Sequence, residues 1–262
     1  MRCCRFSHAG ITSYGVLHDE RVEALTAPPW LGGQSTGNSL PLNQLQLLAP
    51  VEPRKIIGLA RTFSEHAAEL GNPPPPEPLM FLKPPSAVIA PEEPIVLPPN
   101  LGRVDYEGEL ALVIGRRCAR LHEDENPLEY VFGCTCLNDV TARDLQKAEG
   151  HFTRGKSFDT FCPVGPLVVT GLDPTALVVE SYVNGERRQR GAVSEMIFSL
   201  DVIIRFIAAV MTLEPGDVIS TGTPPGVGPL HPGDVVEVAI EGIGRLRNPV
   251  RAGDGGRRSE TR

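Results

Sequence analysis

The sequence predicts an α+β fold made mostly of irregular β structure, and three observations predict it. Its 26 prolines cluster between short apolar segments, and prolines at that density belong to sheet edges and crossovers, not to a helical bundle. The second half is strand-like, with apolar segments at 164–170 and 177–183, and Asn184-Gly185 after them is the strongest short hairpin signal in the chain. Helical periodicity is confined to a few segments, the clearest at about 200–211.

Composition bounds the rest. The 262 residues suit one large domain, or a domain with a small extension, and 41% hydrophobic content fills a sizeable core. A net charge of −7 without a basic stripe outside the tail argues against a nucleic-acid surface. No apolar run reaches about 18 residues, and the start lacks a signal-peptide pattern, so no membrane span is expected and the cytoplasm is the default. The six cysteines, Cys3, Cys4, Cys118, Cys134, Cys136 and Cys162, fit neither a disulfide framework nor a zinc site in spacing, and are expected as reduced thiols.

In chain order, residues 1–50 read as a small β-rich extension. It has a hairpin over 10–25 around a polar turn at 18–21, followed by a Gly, Pro, Ser and Gln-rich connector over 28–43. Lys55 to Leu59 is a short buried strand. Thr62-Phe63-Ser64-Glu65 has the form of a capping box, so a two-turn helix starts there and stops at Gly71 before Pro73 to Pro76. Residues 104–114 read as one strand, with Tyr106, Leu110, Leu112 and Ile114 on one face and Glu107, Glu109 and Val113 on the other. A short helix is expected over 126–132, a strand through Cys136-Leu137, a turn at Asn138-Asp139 and a helix over 141–149. The helix over 200–211 is capped by Ser199 and buries Val202, Ile203, Phe206, Ile207 and Val210. Pro-Gly-Asp turns at 215–217 and 232–234 each lead into a strand. The tail over 251–262 is Gly and Arg-rich and expected to be disordered.

Several groups can carry chemistry. Glu107 and Glu109, roughly 7 Å apart on one strand face, can hold one hard cation, although for the pair alone a solvated edge strand is the favoured reading, because acids are mostly exposed. His66 and Glu69 share a helix face, where a carboxylate can orient an imidazole; an exposed pair would look the same. Arg143 and Gln146 are likewise three apart. Gly150 to Ser157 matches the phosphate-loop pattern letter for letter, but a helical segment precedes it and no helix can follow, so nucleotide binding is not expected. The Gly222 to Gly228 loop, with Thr223, can offer amides and a hydroxyl to an anion, or be a plain turn.

Six motifs occur in order: Arg61-Thr62-Phe63-Ser64-Glu65-His66, Phe81-Leu82-Lys83-Pro84-Pro85, Asp105-Tyr106-Glu107-Gly108-Glu109-Leu110, Asn138 to Gln146, Gly155 to Thr160 and Pro215 to Pro224. Together they resemble the fumarylacetoacetate hydrolase family over about residues 51–250, where Thr62-Phe63 replaces the Asn-Tyr of many members. The resemblance implies a layered, rolled β-sheet domain over 51–250, usually a homodimer. It implies a divalent cation, magnesium with manganese or calcium as alternatives, held by Glu107, Glu109 and Asp139. It further implies that Lys156 stabilises an enolate, that His66 acts as general base with Glu69 orienting it, and that Arg143, Gln146 and Thr223 grip the substrate.

Family substrates are 2-oxo acids or 1,3-diketones that pass through an enolate. The leading expectation is hydrolytic carbon–carbon cleavage of an acylpyruvate-like substrate. The alternatives are a 2-hydroxyhepta-2,4-diene-1,7-dioate isomerase or oxo-diacid decarboxylase of aromatic catabolism, and a binding protein without turnover, which intact His66, Glu69 and Lys156 disfavour.

Overall fold

The acid-bearing segment is buried along its whole length from Val104 to Ile114, and it is two strands, not the single one expected. Val104–Tyr106 pairs with Thr141–Ala142 and Gly228–Pro229 in a three-stranded sheet, whereas Gly108–Ile114 pairs with Val131–Asn138 and Val218–Ser220 in the main sheet. Glu107 is the joint. Its N–H donates to Asn138 Oδ1 at 3.0 Å and its carbonyl accepts from Asp139 N–H at 2.8 Å, so the break is fixed by the neighbouring turn. The alternation of faces holds beyond the break: Leu110, Leu112 and Ile114 enter one core, Ala111 and Val113 another.

The computed structural model describes residues 1–254, except 70 and 72. Among them the main sheet runs in the order Ser35–Pro41, Arg21–Leu25, Ile11–His18, Arg2–His8, Cys162–Val169, Val131–Asn138, Gly108–Ile114, Val218–Ser220, Ile56–Ala60, Leu79–Lys83. The hairpin over residues 11–25 forms as expected. Two strands in this region were not: Arg2–His8, and Ser35–Pro41 inside the stretch read as a connector. Arg2–His8 pairs with Cys162–Val169, so the first fifty residues extend the main sheet. A second sheet runs Glu186–Ala192, Val178–Val183, Val235–Ile240, Gly244–Ala252, Ile95–Leu97. Its first hairpin turns at Asn184 and Gly185, both at positive φ, as the strand twist requires. Arg251 and Ala252 were placed in the disordered tail, yet they pair with Val96 and Leu97, a partner 155 residues away that tail composition cannot reveal. Residues 255–262 of that tail lie outside the described residues.

Three α-helices are present among the described residues: α1 Ser64–Glu69, α2 Arg143–Glu149 and α3 Leu200–Val210. The expected capping box does not start α1. The Phe63 carbonyl accepts from Ala67 N–H, and buried Thr62 donates its hydroxyl to the Thr221 carbonyl at 2.8 Å. Over 126–132 there is a 3-10 turn, Pro127–Tyr130, because Val131 and Phe132 are taken into the main sheet. Likewise α2 begins at Arg143, since Thr141 and Ala142 pair with the three-stranded sheet. Ser199 caps α3, its Oγ accepting from Val202 N–H. The buried stripe of α3 is rotated from the expected one: Leu200, Ile203, Ile204, Ile207 and Ala208 are buried, while Val202 and Val210 are 46% and 60% exposed. Both stripes satisfy the helical period, and packing on the sheet chooses between them.

One face of the main sheet, with α3 and the second sheet, encloses the largest core, to which Cys134 and Cys136 contribute as space-fillers from one strand face. All six cysteines are free and buried. No helix among the described residues is long and apolar enough to cross a membrane.

The rotated stripe is tested by truncation. Ile207→Ala should destabilise the chain by about 2–5 kcal/mol and Val202→Ala by less than about 0.5 kcal/mol, read from denaturant midpoints. Equal losses would restore the stripe drawn from sequence.

Candidate active site

The break at Glu107 and the turn at Asn138-Asp139 bring three acids together. Glu107, Glu109 and Asp139 are all buried and each offers an oxygen within 4.8 Å of the others. Three carboxylates in a dry site repel unless cations compensate them. Here two lysines and an arginine do so. Lys156, from the 3-10 turn Arg154–Lys156, sets its ammonium against Glu107 Oε2 at 2.7 Å and against Asp139 Oδ2. Lys83, with no exposed side-chain surface, stands 2.7 Å from Asp139 Oδ1 and donates to the Lys156 carbonyl at 2.7 Å. The Asp139 Oδ1 contact is an ion pair without hydrogen-bond alignment. Arg143, at the start of α2, reaches Glu107 Oε1 with one nitrogen, Asp105 Oδ2 at 2.9 Å with Nε, and Gln146 Oε1 at 2.7 Å with Nη1. Asp105 is fully buried and also takes Arg103 at 2.6 Å.

These contacts divide the two glutamates. Burial alone would raise the Glu107 carboxyl, but Lys156 and then Arg143 hold it well below the usual range. Glu109 is pushed well above that range by burial and by the charges of Asp139 and Glu107, although Lys156 pulls the other way. Its Oε2 is held by Ser220 Oγ and by Gly222 N–H at 2.8 Å. That amide is reachable because Gly222 has φ 96° and packs so closely that a Cβ would meet Thr62 Oγ1 at 1.9 Å. Lys156 is kept protonated: burial opposes its charge, but Asp139, Glu107 and Glu109 outweigh it. Its ammonium also lies 4.7 Å from the centre of the Phe81 ring, which stacks on Phe152.

Above this cluster opens a cavity of about 240 Å³ lined by His66, Glu107, Glu109, Arg143, Gln146, Lys156 and Thr223, with Arg61, Lys147 and His151 among the other wall residues. Seven of the nine expected site residues therefore line one cavity, and Asp139 joins the acid cluster at its floor. Glu69 stands behind His66. Its Oε2 is 3.5 Å from His66 Nδ1, too long for a good hydrogen bond, and its carboxylate accepts from Gly226 N–H instead, at 3.1 Å. His66 is buried, which lowers its pKa from the ordinary 6.5; Arg143 adds to this while Glu107 and Glu69 oppose it, and the imidazole is neutral at pH 7. The Thr223 hydroxyl donates to the Gly108 carbonyl and accepts from Gln189 Nε2, both at 2.8 Å. Gln189 in turn accepts from Gly108 N–H and donates to the Pro224 carbonyl, which fixes the direction of every bond in this chain.

Lys83, Asp105, Gln189 and Ser220 were not picked out from the sequence. Lys83 and Asp105 sit inside quoted motifs, where a lysine ending an apolar strand and an acid two before Glu107 were available signals. Nothing local marks Gln189 or Ser220. The supposed phosphate loop has α2 before it and the 3-10 turn within it, and its lysine points into the carboxylates.

All donors in the acid cluster are oxygens, which suits a hard divalent cation such as magnesium, manganese or calcium and not zinc. The fit is supported by Asp139 Oδ1, a buried oxygen that accepts no hydrogen bond. A cation there would also reverse the rise of the Glu109 carboxyl.

Comparison with known proteins gives a consistent picture. Residues 55–251 match the family model described as fumarylacetoacetate (FAA) hydrolase C-terminal, and residues 1–50 match one described as Rv2993c-like, N-terminal. Oxaloacetate tautomerase YisK of Bacillus subtilis (strain 168) is 42% identical over 80% of this chain and 74% of that protein. The crystal structure of 2-hydroxyhepta-2,4-diene-1,7-dioate isomerase from Mycobacterium marinum superposes with a TM-score of 0.89 at 40% identity, covering 97% of this chain and 99% of the other. Maleylpyruvate hydrolase from Sphingobium sp. SYK-6, solved with manganese(II) and pyruvate, superposes with a TM-score of 0.80 at 31% identity, covering 97% and 100%.

Glu109→Gln removes one of three ligand charges while keeping the shape of the side chain. Magnesium affinity measured by calorimetry should fall by about tenfold or more. Unchanged affinity would remove Glu109 from the ligand set.

Proposed function

This chain belongs to the fumarylacetoacetate hydrolase family, and from that premise we propose that it is an enzyme acting on 2-oxo acids through an enolate, with keto–enol tautomerisation or double-bond migration as its reaction. The observation that carries this is one buried base, His66, on the wall of a cavity whose floor is the acid cluster with Lys156. Glu107, Glu109 and Asp139 would hold the divalent cation, with magnesium proposed first, and a cation there supplies Lewis-acid polarisation of the substrate's oxo group.

The chain's own residues do the rest. His66 Nδ1 lies on the Glu69 side, which leaves Nε2 for the substrate. Neutral at pH 7, it takes the proton from the carbon beside the carbonyl and returns it to a different atom of the enolate. Lys156 holds its positive charge near the developing enolate oxygen, and its pairing with Glu107 and Asp139 keeps that charge in place. Gln146 is oriented by Arg143, which takes its carbonyl oxygen, so its amide N–H groups remain for a substrate oxygen. Thr223 has its hydroxyl proton committed to Gly108 and offers a lone pair. Arg143 lines the cavity, but its guanidinium is engaged by Asp105, Glu107 and Gln146, and its main role is to position them. A homodimer, as the family resemblance implies, is part of the proposal, together with the cytoplasm, the default location read from the sequence.

Hydrolytic cleavage is the second reading, favoured by the placement of Glu69 next to His66 on α1. A water-activating pair needs the 3.5 Å separation to close to about 3 Å; proton transfer to and from an enolate needs only His66. The tautomerase and the isomerase among the relatives support the first reading, and the maleylpyruvate hydrolase supports the second.

The test is turnover with magnesium of oxaloacetate, followed by enol absorbance, and of an acylpyruvate, followed by product analysis. His66→Ala should slow oxaloacetate tautomerisation by about 10²–10⁴-fold, and Glu69→Gln by less than about tenfold. Faster turnover of the acylpyruvate, with Glu69→Gln losing as much as His66→Ala, would make hydrolysis the function.

The same base sets a pH dependence. The rate should climb as His66 loses its proton, on an acid limb whose midpoint lies below 6.5 because burial depresses the imidazole. That limb should vanish in His66→Ala; a limb persisting in the variant would assign it to another group.

A further inference from the structure

We propose that Tyr106 is a positioning residue for the base: through the backbone of Gly226 it holds Glu69 off His66, and so biases the site towards proton transfer and away from hydrolysis. This rests on the proposed role of His66, and it adds what sets the spacing between that base and its neighbouring carboxylate.

The helix does not set the spacing. His66 and Glu69 are three apart on α1, where side chains meet readily, yet Glu69 Oε2 stops 3.5 Å from His66 Nδ1. The carboxylate is drawn to the loop instead. Gly226 N–H divides its bond between the two oxygens, at 3.3 Å to Oε1 and 3.1 Å to Oε2, so it faces the carboxylate as a whole. A bond of this kind is charge-assisted, and stronger than one between neutral groups.

Gly226 can hold Glu69 because it is itself held on both sides. Its carbonyl accepts from the Tyr106 hydroxyl at 2.8 Å. Its φ is 98°, a conformation open to glycine, and a Cβ there would meet the Arg188 carbonyl oxygen at 2.1 Å, so the strand Glu186–Ala192 closes the other side. Tyr106 is 4% exposed and ends the strand Val104–Tyr106, where it pairs with Gly228, two residues past Gly226. Its ring lies against that glycine, whose added Cβ would meet Tyr106 Oη at 3.1 Å. The next residue is Glu107. One strand therefore fixes the loop behind the base and then continues into the acid cluster.

A carboxylate at close range would stabilise the imidazolium, raise the pKa of His66 and orient the ring for work on water. Kept apart from Glu69, His66 works as a lone base, which is what proton exchange with an enolate needs. The charged groups facing His66 are Glu69 from its own helix, Glu107 from the strand joint and Arg143 from α2. Arg61, Glu109, Lys147, His151 and Lys156 line the same cavity. Tyr106→Phe alters none of them; it keeps the ring and removes the bond to Gly226, so a moved imidazole midpoint reports on Glu69.

The test is a proton NMR titration of His66 with magnesium present, its ring signals assigned by their loss in His66→Ala. In Tyr106→Phe the midpoint should rise by about half a pH unit or more as Glu69 closes on the imidazole, and adding Glu69→Gln to that variant should return it to the wild-type value or below. A purely structural role would lower the denaturant midpoint and leave the imidazole unmoved. An unchanged imidazole midpoint in Tyr106→Phe, or a rise that survives Glu69→Gln, overturns the assignment. Turnover measured alongside tests the reaction separately. The ratio of acylpyruvate hydrolysis to oxaloacetate tautomerisation should rise by about threefold or more in Tyr106→Phe, and an unchanged ratio overturns the bias assigned to Tyr106. A moved midpoint without turnover of either substrate keeps the positioning role and loses the proposed reaction.

Discussion

The structure depends on a concentration of like charge among buried side chains. Glu107, Glu109 and Asp139 converge within one ligand's width of each other, and Asp105 is buried beside them. An uncompensated cluster of this kind would drive the segment to the surface, because burying an unpaired ion costs several times what a pair of hydrophobic contacts contributes. The chain answers with Lys83, Lys156 and Arg143, each also buried. The surrounding elements are arranged to deliver these partners: an edge strand ends at Lys83, a 3-10 turn ends at Lys156, and α2 begins at Arg143.

That arrangement explains features that look like defects. The main strand breaks at Glu107 because its backbone is turned to Asn138 and Asp139, which brings a third acid to the pair. The loop after Val218–Ser220 is rigid and glycine-bearing because Glu109 needs the Gly222 amide at close range. Gln189 ties the same loop to Gly108 from the second sheet, so three separate regions fix the geometry around two adjacent glutamates. Preorganisation of this kind is what electrostatic stabilisation of an enolate requires: groups held in place before charge develops move little when it does.

Much of the fold was legible from local pattern. The hairpin at Asn184-Gly185 follows from φ requirements that few residues meet, and the Ser199 cap from a side-chain acceptor placed before an apolar period. The two Pro-Gly-Asp turns use one chemistry, each Asp accepting from the N–H three residues before it. What failed was choice between equally periodic options. The stripe of α3, the strand Ser35–Pro41 in a polar stretch, and the pairing of Arg251 and Ala252 were decided by partners far away in sequence.

The site divides the same way. The sequence by itself singled out the groups proposed to carry the chemistry, because acids spaced two apart, a histidine and glutamate three apart and six ordered motifs are statements about residue type and spacing. Tertiary structure alone decided how each is held. It showed that Arg143 and the Thr223 proton are committed to neighbours, that the His66 and Glu69 pair stands open at 3.5 Å, and that Lys83, Gln189 and Ser220 belong to the support. The physical reason is that charge and hydrogen-bond capacity are properties of a residue, whereas their saturation is a property of its neighbours. In this chain those neighbours come from strands and turns as much as 157 positions apart.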